Sequence, residues 1–199
     1  MLERALLRDP LVFLLRFAAV AGVLYLFRAD VSGFYLSLVT APANWLLGGD
    51  GGVAYTRQGH ELSLVYRQLG LRFAVHDIIY QNLLVALALF SATQAHWMWK
   101  LKWGGVAILT LWASHVASLF LGGHVIVWDF LWSLPADVRA DLLPRVTEHF
   151  PMERDWLFSR LFGLWHTWGR QSLALAVWAL AALPLLRRLS DADTQERVK

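Results

Sequence analysis

Residues 74–90 read Ala74-Val75-His76-Asp77-Ile78-Ile79-Tyr80-Gln81-Asn82, followed by the apolar run Leu83 to Phe90. A polar, ionisable head opens an apolar helix. Such a run reads as membrane-spanning, and an ionisable residue at its mouth costs free energy unless something uses it. His76 and Asp77 are therefore the first candidate site residues, with Gln81 one turn further in. The rest of the chain is read outward from this head by asking which other polar groups reach the same depth.

Composition sets the class. Of 199 residues, 57% are hydrophobic and 11 are Trp, with a mean hydropathy of +0.46. Soluble domains lie nearer 45–50% apolar. The excess falls in runs, which points to an integral membrane protein. The Trp clusters 97/99/103, 128/132 and 156/165/168 suit the headgroup level. The net charge of +3 is spread along the chain, so no nucleic-acid footprint forms. The chain has no Cys, which excludes disulfides, thiolate metal sites and a Cys nucleophile.

Four apolar segments are expected to cross: Leu11–Phe27, Ile78–Trp97, Trp103–Leu121 and Gln171–Leu186. Arg16 interrupts the first, and no small-residue cleavage site follows it, so it is read as an uncleaved span. Phe34–Leu47 is 14 residues long and contains Pro42, which fits a re-entrant or interfacial helix better than a crossing. His124–Trp132 is read as interfacial and Trp156–Leu164 as amphipathic. Gly122-Gly123 is expected to end the third span. In Val53–Arg67 the period changes to two: Val53, Tyr55, Leu62, Leu64 and Tyr66 alternate with Ala54, Thr56, Ser63 and Val65. Gly59 supplies a turn, giving a β-hairpin outside the bilayer.

The expected fold class is thus an all-α membrane protein of about four transmembrane helices, with interfacial helices and a small extramembrane β-hairpin. Residues 1–189 form a single integral membrane domain and residues 190–199 a charged cytoplasmic tail. Basic residues at 100/102 and 187/188/197/199 place both termini in the cytoplasm of a multi-pass protein of the bacterial inner membrane.

That topology puts the mouth of the second span (His76, Asp77), the outer third of the third (Ser114, His115, Ser118) and the start of the fourth (His166, Arg170) at similar depth. Of these, His76, Asp77, His115, Ser118, His166 and Arg170 are the candidate binding set, and His166 is the candidate base. Two functional readings of the His residues compete with simpler ones. His76, His115, His124 and His166 have no spacing typical of a zinc site, and no metal or cofactor is expected. Ser114 or Ser118 as a nucleophile with His166 as base lacks a supporting motif. The simpler account of His76/Asp77 is a helix cap. That of His115 is interhelical hydrogen bonding with Thr110, Ser114 and Ser118, and that of His166 is an aromatic-belt residue whose polar tip ends in water. A transporter is disfavoured because Leu83–Phe90 and Leu173–Leu183 carry no charge.

The order of a hairpin, a polar pair opening an apolar helix, a basic loop, a second apolar helix with a polar site near its far end, and a last helix with His at its mouth resembles the exosortase/archaeosortase family of membrane transpeptidases. More particularly it resembles the membrane proteins associated with exosortase type H. The resemblance spans residues 34–186. It implies a catalytic Cys at about His76 or Asp77. The Asn and Arg of the family fall at His115 and Ser118, in Ser114-His-Val-Ala-Ser118, and its His at His166, in Trp165-His-Thr-Trp-Gly169. Only that His is kept. Without the thiolate nucleophile and the oxyanion-stabilising Arg, the family reaction has no starting point. The resemblance therefore implies a non-catalytic accessory of C-terminal-tag-dependent protein sorting. Membrane lipid, and an exosortase or the tail helix of a tagged substrate, are the implied partners. An active transpeptidase or protease with a non-Cys nucleophile is the alternative.

Overall fold

The computed structural model describes residues 10–48, 52–58, 61–75, 81–169 and 172–184. Its helices are α1 (Pro10–Leu26), α2 (Arg28–Leu46), α3 (Gln81–Ala92), α4 (Trp97–Ser133), α5 (Ala136–His149), α6 (Asp155–Leu164) and α7 (Ser172–Pro184). Three strands, β1 (Val53–Gln58), β2 (Glu61–Tyr66) and β3 (Leu71–Val75), lie between α2 and α3. The chain divides into two compact units, with α4 passing from the first to the second after Leu111.

The expectation of an all-α protein with four crossings is corrected in two respects. The β region is a three-stranded antiparallel sheet in the order β1-β2-β3, not a lone hairpin. And among the described residues one helix, α4, is long and apolar enough to cross a membrane, or there are up to two spans if α1 and α2 are taken together as one. That pair turns by 76° at its break, as a broken span or a re-entrant loop does. The physical reason is length. Crossing about 30 Å of hydrocarbon takes about 20 helical residues, and α1 has 17. Among the described residues the expected Ile78–Trp97 span yields a helix of 12 residues, Gln81–Ala92, which ends before Trp97 begins the next helix.

α4 corrects the boundaries as well. Its 37 residues absorb the basic aromatic turn at 99–103, the expected third span and the separate segment 124–132. Gly122-Gly123 does not stop it. These glycines form a notch. A Cβ on Gly122 would lie 2.9 Å from the Phe162 ring, and one on Gly123 would lie 3.3 Å from Leu47 and 3.5 Å from the Tyr55 hydroxyl. Glycine is required here for close approach, not for a turn.

In the first unit the packing is done by small residues. Ala86, Leu111 and Ala174 form one buried cluster, with Val85 and Leu173 against it. Phe90, Ala107 and Ala181 form another, flanked by Trp99, Trp103, Val177 and Trp178. Ala at the contact layer lets helix backbones approach closely. Thr93 closes α3: its hydroxyl donates to Leu89 O at 2.7 Å and accepts from Trp178 Nε1 at 2.9 Å. Phe13 of α1 meets Trp178 at 5.8 Å between ring centroids.

The second unit is built on the sheet. Tyr55 pairs with Leu64, and Leu64 with Phe73, so the alternating residues share one face. On that face Val53, Tyr55, Leu62, Leu64 and Tyr66 are buried. The alternation expected between residues 53 and 66 is therefore present; the third strand was not anticipated. Gly70, with φ of +64°, follows a short 3-10 turn at Arg67–Leu69 and turns the chain from β2 into β3. Phe73 then stands edge-on to Phe130 of α4 at 5.2 Å.

Candidate functional site

The side chains that organise the second unit carry their polar groups into the interior. On α2, Ser32, Tyr35, Leu36, Val39 and Ala43 are buried, at the three- and four-residue spacing of one helix face. On α4, Leu111, His115 and Leu119 follow one another at intervals of four and are also buried. The two faces meet at Tyr35 and His115, where the phenol oxygen lies 2.7 Å from Nδ1. Which group donates depends on the imidazole tautomer. His115 is 1% exposed, and its Nε2 has no hydrogen-bond partner among the described residues. Trp165 lies edge-on at 6.1 Å.

A second contact joins the same two helices. Within α2, Pro42 has no N–H to offer the carbonyl of Leu38, four residues earlier. Trp112 of α4 supplies the missing donor, with Nε1 3.0 Å from Leu38 O. The expected serine and threonine ladder at Thr110, Ser114 and Ser118 is not what receives His115; Tyr35 does. Ser118 is half-buried on α4.

The sheet is fastened by similar means. The Asn44 side chain binds both backbone groups of Tyr55: Tyr55 N–H donates to Oδ1 at 2.7 Å, and Nδ2 donates to Tyr55 O at 3.0 Å. One amide thus acts as an extra strand against the β1 edge. The Tyr55 hydroxyl donates to Leu119 O at 2.7 Å, and the Tyr66 hydroxyl to Arg145 O at 3.0 Å. Arg57 donates to Gly33 O at 2.6 Å. Burial pushes the Tyr55 phenol above its ordinary range. It does the same to Tyr66, with the carboxylate of Glu148 adding to it. Both phenols stay protonated and keep donating.

Of the residues singled out from sequence, His76, Asp77 and Arg170 lie outside the described residues. His115 and His166 occupy opposite environments. His166 is exposed on a single π-helical turn, Trp165–Gly169, with its ring tilted against Phe162 at 5.6 Å. Among the described residues no hydrogen bond joins it to Ser114 or Ser118. The Ser–His pairing considered above is therefore not assembled in this arrangement.

His124 is 5% exposed. Its Nδ1 lies 3.1 Å from Phe120 O of its own helix, and the rings of Phe120, Phe150 and Phe158 surround it at 4.7 Å each. Among the described residues no three His, Asp or Glu side chains come together in a way that could hold a metal ion.

Sequence reasoning missed Tyr35, Asn44, Tyr55 and Trp112 as organising residues. A signal existed for each: a lone hydrogen-bonding side chain within an apolar face, or a Pro four residues after a carbonyl that must then find another donor. Comparison with protein-family models, with curated proteins and with solved structures finds no match for this chain.

Proposed function

We propose that the chain is a non-catalytic, exosortase-like protein of the bacterial plasma membrane, an accessory to the sorting of C-terminally tagged proteins. One observation carries the non-catalytic part. His115, the residue that the resemblance aligns with the polar site of the second catalytic helix, is buried and bonded to Tyr35. A group that stabilises a developing oxyanion must reach the substrate carbonyl. A side chain closed off in this way holds helices together instead.

Membrane residence is supported by α4. A helix this long and apolar would be mostly buried if it were the core of a soluble protein. In its most apolar window 28% is buried inside the protein, leaving an apolar surface for lipid to cover. At about 1.5 Å per residue, α4 exceeds a bilayer core and extends beyond it.

The test is complementation of a deletion strain in the native host. Wild-type protein and His166→Ala should both restore processing of a C-terminally tagged reporter, and the wild-type protein should co-purify with a membrane partner in mild detergent. Failure of His166→Ala at normal expression would overturn the non-catalytic reading in favour of a transpeptidase or protease. Deletion without any sorting defect would remove the sorting role.

A further inference from the structure

We infer that α6 lies flat in the headgroup–acyl boundary of the bilayer, with its leucine face in lipid. The inference rests on the membrane reading above and adds a second, in-plane attachment to it. Leu157, Leu161 and Leu164 fall at helical spacing on one face, and Trp156 and Trp168 stand near its two ends. All five are exposed, Leu164 at 67% and Trp168 at 71%. The face cannot turn inward, because the opposite one is already committed. Phe158 packs edge-on against His124 at 4.7 Å and Phe120 at 5.6 Å, and Phe162 fills the notch over Gly122.

The chemistry of the exposed face selects its occupant. Three leucines in a row offer no hydrogen-bonding group. Hydrocarbon needs none. Beside the stripe, the Arg160 guanidinium lies 4.6 Å from the centre of the Trp156 ring. That places a cation on an indole at the edge of an apolar face, complementary to lipid phosphate, with the indole at headgroup depth. A short helix with leucine on one side and an Arg–Trp pair at the boundary has the make-up of an in-plane membrane helix.

The absence of cysteine makes the test direct. Single variants Leu157→Cys, Leu161→Cys, Leu164→Cys and Ser159→Cys carry a nitroxide in the full-length protein. Leu109→Cys on the exposed apolar side of α4 and Asp141→Cys on α5 serve as references. The protein is reconstituted in vesicles of phosphatidylcholine and phosphatidylglycerol, and collisions with oxygen and with a water-soluble nickel chelate are measured. The ratio of oxygen to nickel collisions at 157, 161 and 164 should exceed that at 141 several-fold, with all three at one depth.

A depth changing by about 1.5 Å per residue along α6 would mean a crossing helix and overturn the inference. So would exclusion of both reagents, which would mean that a second copy or a protein partner covers the face. Nickel access at 157, 161 and 164 with lipid exposure kept at 109 would overturn the inference alone. Nickel access at 109 as well would overturn the membrane reading itself.

Discussion

The two units of this chain solve the same problem with different chemistry. In the first, apolar helices pack through alanines at 86, 107, 174 and 181, and a polar tie joins Thr93 to Trp178. In the second, helices and sheet are fastened by side chains that reach backbone carbonyls: Tyr55 to Leu119, Tyr66 to Arg145, Trp112 to Leu38 and Arg57 to Gly33. A layer of small apolar residues is sensitive above all to added volume, because the neighbouring helices already fill the space. A hydrogen-bonded frame is sensitive in addition to changes that keep shape, because an orphaned buried group costs its full desolvation.

The largest effect should come from Asn44→Leu, which keeps the branched side-chain skeleton and removes both bonds to Tyr55. Two backbone groups of a buried strand lose their partners, a cost of about 2–4 kcal/mol. Hydrogen exchange should quicken in β1 and stay unchanged in α3. Equal loosening of α3 would break the contrast between the two units.

Next is Ala107→Leu. It changes no hydrogen bond but overfills a layer where Ala107 is 1% exposed. Overpacking of this kind costs about 1–3 kcal/mol, read as a fall in thermal midpoint in detergent with faster exchange in α3 and α7. If the midpoint holds, the alanine layer is looser than described.

The smallest is Tyr55→Phe, at about 1 kcal/mol at neutral pH. Its sharper readout is pH. The folded-state phenol titrates above its ordinary value of 10.0 because burial disfavours the phenolate. The stability it contributes is therefore complete below pH 10.0 and is lost as pH rises from there through the folded-state value. Wild-type protein should weaken on alkaline titration, and Tyr55→Phe should flatten part of that slope. An unchanged slope would assign the effect to Tyr66 or to other groups.

How much of this was legible in the sequence depends on the kind of signal. The alternation from Val53 to Tyr66 announced two strands, because a period of two is carried by adjacent residues. The third strand was missed although Leu71, Phe73 and Val75 alternate with Arg72 and Ala74, since five residues beside an apolar helix are easily read as its approach. Apolar runs were visible, but their number as crossings was overestimated. Composition cannot say where a helix breaks, and the break between Ala92 and Trp97 was read through. At Gly122-Gly123 the opposite error arose: a break was read where the helix continues, because a glycine needed for close approach looks the same as one needed for a stop.

The candidate site was partly legible. His115 stood out as a deep polar residue, but its partner Tyr35 is 80 residues away, and no local pattern connects them. His166 stood out equally and is exposed.

The Trp112 indole has one further consequence. By standing in for the amide that Pro42 lacks, it makes the pairing of α2 with α4 self-indexing. Slide either helix by one residue, and Leu38 O has no donor while the indole N–H has no acceptor. Greasy helices have many nearly equivalent ways to lie together. A proline on one and a tryptophan on the other act as key and keyway and leave a single setting, which fixes where His115 meets Tyr35.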